Sequence, residues 1–514
     1  MNIFDRLVSY VSPSAGLKRV SARKRMEILE GANFRKYDGA SRGRRTQNWR
    51  TTSSSADVEI SAASRTLRDR SRDLVRNNPT ATGIVSTWAN YLVGTGIKPR
   101  SSGPDADRNR LVDDLFAAWA KNCYSDGTMD FYGIQNLVAR TMVESGEVLV
   151  RRRVRRPQDN LRIPLQLQVL EPEFIDETRQ SDPKRSRSVV NGIEFDVIGR
   201  RRGYWMHQNH PGSGDMSVFS NQSKFVPSSE ICHVYEKNRT QVRGAPWLAS
   251  CIIPLRDVDE YNQSEAVRKK IEACVVGVVI PGDNEVPDLG LEETVDGDSN
   301  KSNGVTDANG FPIERFEPGM FAYLENGKDV KFNNPAISVG MEMYLRTQYR
   351  RIANGSRMPY ELLTGDWSQA NFATGRIGML NFRRLVTSIQ HNVIIHSFCQ
   401  PTWDWFIDMA IAVGALPEGD YPCEWQPPEF EDIQPIDDAR ADLLNIRMGK
   451  KSLKSVIAKS GRNPDQVMKE IIEMNKILDD NEVVLDSDPR RVAVNGQIQW
   501  GQDPNANGDG NEPN

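Results

Sequence analysis

The sequence predicts an α+β protein, and three observations carry that prediction. Segments with apolar residues at helical spacing occupy both ends of the chain, a central stretch from Gly146 to Cys232 alternates apolar and polar residues, and Gly, Pro and Asn separate the two patterns. At 514 residues the chain is long enough for three or four folding units of about 150 residues each.

The first element, from Arg35 to Asp57, carries Arg42, Arg44, Arg45 and Arg50 among Ser, Thr and Gly, with Trp49 as its large aromatic. It reads equally as an extended basic arm or as a solvated linker. From Ser61 to Val93 two helices are expected: Leu67, Leu74 and Val75 share one stripe, Asn77-Asn78-Pro79 breaks it, and Ile84, Val85, Trp88 and Leu92 form the next. Gly94 and Gly96 should end the second helix, and a third covers about Leu111 to Trp119.

The alternating region reads as an antiparallel sheet. Within it Arg151, Arg152, Arg153, Arg155 and Arg156 divide between two strand faces and the following turn. Phosphate binding is one reading; solvated edge charges that prevent unwanted strand pairing are the preferred one. A helix from about Ala249 to Ala273 carries Leu255, Val258, Tyr261, Val267 and Ile271, and a second from about Ala336 to Ala353 carries Ile337, Met341, Tyr344, Leu345 and Ile352. Between them lies an insert whose residues Pro281 to Gly310 hold eight acids, one Lys and five glycines, a composition suited to a surface lobe. A polar loop with Pro359 and Gly365 leads to a helix from Thr374 to Phe398, and Trp403, Trp405 and Phe406 extend its apolar density. Three short helices follow, with Ser452 and Asn463-Pro464 as starts, and the Gly/Asn-rich tail from Asn495 reads as disordered.

The 66 Lys+Arg and 69 Asp+Glu give a net charge of −3, which conceals an asymmetry of +11 over residues 1–100 and −11 over residues 401–514. Such separation favours ordered contact with a polyanion or head-to-tail contact between copies. The longest apolar run, Ala273 to Ile280, is far below the roughly 18 to 20 residues of a membrane span. The start lacks a basic segment before its apolar residues, so a cytoplasmic protein without a secretory signal is expected. Cys123, Cys232, Cys251, Cys274, Cys399 and Cys423 are scattered and read as reduced thiols.

Searches for chemistry return little. GKKS at Gly449 to Ser452 has Leu444 where a phosphate loop needs glycine, and reads as a helix-capping turn. VGTGI at Val93 to Ile97 follows a helix where a dinucleotide fingerprint requires a strand. His207, His210, Cys232 and His233 could supply zinc ligands, but surface imidazoles with a core thiol are favoured, and His391 and His396 miss the i, i+4 spacing. The pairs Glu292-Glu293 and Asp437-Asp438 look solvated. No GxSxG elbow occurs. SLKSVIAKSGRNPDQVMKEI has the outline of a helix-turn-helix, yet its second helix opens on Pro464 and carries Asp465 and Glu470, which suits helical packing better than DNA reading. No catalytic, cofactor or metal site is therefore expected.

Four stretches, RDRSRDLVRNNPTATGIVSTWANYLVGTGI, VRGAPWLASCIIPLRDVDEYNQSEAVRKKIEACVVGVV, RRIANGSRMPYELLTGDWSQANFATGRIGMLNFRR and HSFCQPTWDWFIDMAI, resemble the portal proteins of tailed bacteriophages, specifically the lambda-like portal family. The resemblance runs from about Ser61 to Leu478 and leaves out the basic arm and the tail. It implies a helix-rich portal fold assembled as a homo-oligomeric ring, usually a dodecamer, whose channel passes double-stranded DNA during packaging and ejection. The implied map is an N-terminal arm over 1–60, a wing over 61–248, stem helices over 249–273 and 336–353, and a clip over 274–335 between them. A channel loop over 354–374, a wing helix with strands over 375–434, crown helices over 435–480 and a tail over 481–514 complete it.

On that map Arg357, Ser368, Gln369, Asn371 and Arg376 are the candidate DNA-channel residues, and Asp283, Glu285, Glu292, Glu293 and Asp296 the candidate docking acids of the clip. The implied partners are the terminase large subunit, the major capsid and scaffold proteins and the head-completion or adaptor proteins, with no membrane and no cofactor. The implied location is the portal vertex of the virion, with the host cytoplasm during assembly. A ring near −36 in total suits weak contact with DNA, because a strongly basic pore would hold phosphates and not conduct them. A packaging or DNA-processing enzyme subunit with an unrecognised site is the alternative.

Overall fold

In a computed structural model of the chain the expected mixture of helix and strand is present. The structure describes residues 53–180, 188–213, 222–273, 277–281, 327–332, 340–431, 434–459, 464–483 and a few isolated positions. Residues Met1–Ser55 and Ala56–Asn514 form separate units. In the first, Ser21 Oγ donates to the Lys18 carbonyl at 2.9 Å, a local helical contact. Most of the basic arm, the acidic insert and the tail from Asn495 lie outside the described residues.

The second unit opens with α1 (Ala56–Asn77), several residues before the expected start; Asp57 and Glu59 sit in its first turn, where the helix dipole favours acids. Its buried stripe is Ser64, Arg68, Ser71 and Val75. The expected Leu67 and Leu74 are only half-buried, Leu74 against the main core, while Arg68 takes a fully buried place on the stripe. Asn78 then caps α2 (Pro79–Val93), accepting from the Ala81 amide at 3.0 Å with Pro79 preset for the first turn, and Gly94 ends it. After β1 (Lys98–Ser101) come α3 (Ala106–Ala120) and α4 (Phe131–Ser145), capped by Asp105 and Asp130. Helix α4 was not expected, although Phe131, Ile134, Val138 and Met142 hold its buried face at helical spacing.

The alternating region forms two antiparallel sheets. One has the order β3-β2-β8, from Glu147–Val154 (β2), Leu165–Leu170 (β3) and Ile231–Tyr235 (β8). The other has the order β4-β5-β6-β7, from Ser188–Val190, Ile193–Phe195, Arg201–Met206 and Lys224–Pro227. Strand β2 is therefore central, with Arg151 opposite Gln168 on one side and Ile231 on the other. This corrects the edge-charge reading: Arg152 and Arg153 pair with β3, and their side chains leave opposite faces of an interior strand.

The main core joins α2, α3, α4, the β3-β2-β8 sheet and the later helices. Trp88 is fully buried against Trp247 and Phe382, with ring centroids 4.9 and 5.0 Å away, and its indole N–H donates to the Ser356 carbonyl at 3.0 Å. Phe116 touches Phe131, Trp403 and Phe406 in a second aromatic group. Leu149, Leu170, Ile175, Ile193, Tyr204 and Met206 build a smaller core between the two sheets.

Helix α5 (Ile252–Ala273) follows a short 3-10 turn at Trp247–Ser250, and α6 (Met341–Gly355) packs on it through Tyr261 and Tyr344, 4.9 Å between rings. Helix α6 begins at Met341 within the described residues, and the expected Ile337 lies outside them. The chain between the two helices includes an antiparallel ladder, β9 (Gly277–Pro281) with β10 (Gly327–Phe332), which sets Pro281 opposite Gly327.

After α7 (Tyr360–Thr364), helix α8 (Phe372–Ile389) continues through a π-helical segment, Gln390–Cys399, into α9 (Gln400–Ala412), so the helix expected to stop at Phe398 runs on. Strand β11 (Cys423–Gln426) pairs with β1. Helices α10 (Pro435–Arg447), α11 (Leu453–Lys459) and α12 (Pro464–Asp480) close the described chain. Ser452 caps α11 through the Ser455 amide at 3.0 Å, and GKKS is the turn ending α10, with Gly449 at φ +72°.

Candidate functional site

The segment from the end of α6 to the start of α8 joins a helix of the α5/α6 pair to the body. Arg357 adopts φ +60°, a backbone conformation that costs an Arg side chain energy and persists only where surroundings impose it. They do so here: its guanidinium donates to both Glu236 carboxylate oxygens at 2.8 Å, and its carbon centre lies 4.2 Å from the Trp247 ring centroid and 5.7 Å from that of Trp88.

Beyond Arg357, Asp366 organises the exposed turn, accepting from the Ser368 amide at 3.1 Å, the Ser368 hydroxyl at 2.6 Å and the Tyr360 hydroxyl at 3.2 Å. The Ser368 hydroxyl holds the Asp366 carboxyl below its ordinary range. Asn371 caps α8 through the Thr374 amide at 2.8 Å, and Gln369 is exposed on the same turn. Arg376 turns toward α10, donating to Gln434 and to Asp438 at 3.2 Å. Of the five candidate channel residues, Arg357 and Arg376 are thus engaged within the chain, while Ser368, Gln369 and Asn371 share one exposed turn. The candidate docking acids Asp283, Glu285, Glu292, Glu293 and Asp296 lie outside the described residues.

A polar interior that the sequence did not reveal anchors this junction from below. Glu147, fully buried at the start of β2, accepts from Arg243 Nε at 2.9 Å, the Gly244 amide at 2.8 Å and His233 Nε2 at 2.9 Å. Gly146 must lack a side chain there, because a Cβ would come within 2.2 Å of the Ala245 backbone. Arg68 and Arg243 both reach Glu177, at 2.8 and 3.1 Å, and Arg68 and Arg72 share Glu173 at 3.1 and 2.9 Å. Burial alone would raise the Glu147 carboxyl, but Arg243 and then His233 outweigh it and hold it well below the carboxylate range. Burial lowers His233 to about 4, against the opposing pull of Glu147. A neutral His233 that donates from Nε2 to Glu147 leaves Nδ1 to accept from Arg201 Nη1, 3.1 Å away.

His233 is accordingly an interior residue, which corrects its reading as a surface imidazole, whereas Cys232 is the expected core thiol. His210 lies 3.0 Å from Glu171, and with Glu173 these three are spaced to hold a cation. Arg72 already supplies positive charge there, 2.9 Å from Glu173 and 3.7 Å from Glu171. His391 and His396 stand in the π-helical segment, where five-residue spacing suits one face better than the α-helical argument allowed, and both are exposed.

The chain matches the model of the phage portal protein, lambda family, over residues 42–390. It is 25% identical over 458 residues to a probable portal protein of Halomonas phage phiHAP-1, covering 85% of this chain and 86% of the relative. Among solved structures it is similar to a chain of the neck of an empty gene transfer agent particle, with a TM-score of 0.42, 15% identity and coverage of 77% of this chain and 94% of the other. A chain of the native gene transfer agent virion gives a TM-score of 0.40 and 16% identity over the same shares.

Proposed function

The chain belongs to the lambda family of phage portal proteins, and from that premise we propose that it forms the ring-shaped vertex channel through which double-stranded DNA enters and leaves a capsid. The observation that carries this reading is the family match over residues 42–390, which takes in α5, α6 and the turn before α8 together. The family's role is structural. We assign no reaction to the chain, and the enzyme-subunit alternative gains nothing from the GKKS segment, which is a helix end.

The ring is read as a homo-oligomer, a dodecamer in the first instance. Exposed apolar side chains support copy-to-copy contact: Trp367, Phe372, Ile377 and Leu380 around the start of α8, Ile436, Leu443 and Leu444 on α10, and Ile472, Met474 and Ile477 on α12 are all solvent-facing in the single chain. Head-to-tail contacts with a closing rotation suit a chain basic at one end and acidic at the other. In this reading α5 and α6 are the stem, the chain between them is the clip, and Ser368, Gln369 and Asn371 face the channel. There they exchange hydrogen bonds with phosphate and water without the grip of a fixed cation. Arg357 and Arg376 hold that turn in position.

The clip acids Asp283, Glu285, Glu292, Glu293 and Asp296 would meet the terminase large subunit and later the head-completion or adaptor proteins, and the wing the major capsid and scaffold proteins. Assembly would take place in the host cytoplasm and the finished ring would reside in the virion. Native mass spectrometry of the purified chain tests the reading: closed rings are expected, and monomers with twofold dimers alone, across salt and concentration, would refute it.

A further inference from the structure

Strand β2 uses one face in two ways. Leu149 enters the core between the sheets, while two and four residues on, at the same pleat, stand Arg151 and Arg153. They form one wall of a cavity of about 510 Å³ between the two sheets, opposite Lys224 on β7, with Phe174 and Met206 among its apolar lining. Among the described residues no carboxylate lines it.

Among the described residues, Glu230 is the one carboxylate paired with Arg151 and none pairs with Arg153. Arg151 donates from Nη2 to Glu230 at 3.2 Å, but its Nε is buried without a hydrogen-bond partner. Arg153 gives Nε and Nη2 to a neutral acceptor, Gln168 Oε1, at 2.8 and 2.5 Å. Burial, and then the neighbouring Arg151, lower the affinity of Arg153 for its proton. Lys224 is exposed on β7, which is an edge of its sheet among the described residues. Desolvated positive groups of this kind are stabilised by a ligand that brings negative charge to them.

We propose that this cleft is a docking site for an acidic polypeptide segment of a partner protein, whose carboxylates are received by Arg151 and Arg153 on β2 and by Lys224 on β7. Charge complementarity selects the sign of the ligand, and recession selects its kind. Arg151 is only 25% exposed, so a flexible carboxylate side chain reaches it, whereas the phosphates of a rigid duplex meet protruding side chains. The cavity volume is that of a pocket enclosing a few side chains. Among the described strands β7 is an edge, whose backbone groups an extended segment can also pair with.

Fluorescence anisotropy of a labelled hexaglutamate peptide against the full chain tests the site. Saturable, salt-sensitive binding is expected, weakened about tenfold or more in R151Q/R153Q and in K224E. R155Q/R156Q, which removes the same charge from the same basic run beyond the cleft, should change it by less than about twofold. K224E alters an exposed side chain, so it remains decisive if the double variant does not fold. Absence of saturable binding, or an equal loss in R155Q/R156Q, would overturn the proposal. A labelled duplex of about 20 base pairs that binds the native chain and loses binding in R151Q/R153Q would assign the cleft to nucleic acid instead.

Discussion

Around Glu147, Arg68 from α1, neutral His233 from β8 and Arg243 from the chain after β8 converge out of reach of water; Arg243 and Glu147 are 3% and 0% exposed. Among the described residues of α5 and α6, Arg256–Glu260, Arg268–Glu265 and Arg346–Glu342 each pair within one helix, with Arg256 and Glu260 74% and 59% exposed, and Arg346 also lies 4.0 Å from Asp366. Exposed pairs within one helix are screened by solvent and contribute little to stability. Breaking a pair around Glu147 strands a buried charge. The difference teaches that the charges around Glu147 are matched within one chain, whereas the α5/α6 pair leaves Ile253, Val267 and Met343 exposed.

Substitutions sharpen that contrast in order of size. Glu147→Gln removes the counter-charge of Arg243 and replaces one of the two acceptor oxygens that Arg243, Gly244 and His233 use with an NH2 donor, and should destabilise the body by on the order of 3 to 5 kcal/mol. A shift in the urea midpoint equivalent to less than about 1 kcal/mol would show that the network is dispensable. Arg357→Ala should cost about 2 kcal/mol through loss of the bidentate Glu236 pair. Arg357→Gly should cost about 1 kcal/mol less, because glycine accepts the positive φ freely. Equal effects of the two variants would mean that the backbone there is unstrained.

The same region should show a pH dependence that the stem lacks. His233 has its folded-state pKa lowered from 6.5 to about 4, so between those values the unfolded chain binds the extra proton and stability rises with pH. The contribution is complete above about pH 6.5 and is lost as pH falls toward about 4, amounting to roughly 3 kcal/mol at most. Glu147, whose pKa is also depressed, adds a loss in the same direction at lower pH still. His233→Gln should flatten the slope of stability between pH 6.5 and 4; an unchanged slope would assign the dependence to other groups.

Smallest of all should be the effect on the body of replacing the acidic insert with a short Gly/Ser linker. Pro281 and Gly327 face each other in the β9/β10 ladder, so a short connection closes the chain there, and loop-closure entropy changes by on the order of 1 kcal/mol. Rings should still form, and salt-sensitive binding of terminase should fall. Loss of rings would make the insert structural, and unchanged terminase binding would move the docking surface elsewhere.

What was legible in the sequence was local. Asn78-Pro79 and Gly94 carry the start and end of α2 in their own backbone preferences, and Ser452 and Gly449 mark a cap and a turn in the same way. Helix α4 is equally legible from Phe131, Ile134, Val138 and Met142 at helical spacing, directly before the alternation that begins at Gly146. The buried network was not legible. Arg68 and Glu147 lie 79 residues apart, and nothing near either predicts the other; the one local hint is that Arg68 falls in step with Ser64 and Ser71 on α1. Arg357 and Arg376 are candidate channel residues on the map the resemblance implies, yet Glu236 and Asp438, which hold them, are distant in the chain.

We propose that neighbouring copies complete the α5/α6 pair. Electron microscopy of the purified full chain tests this most directly. A closed ring is predicted, with the α5/α6 pairs side by side around a channel wide enough for duplex DNA. Rings with α5 and α6 on the outer rim, or no rings at all, would contradict it.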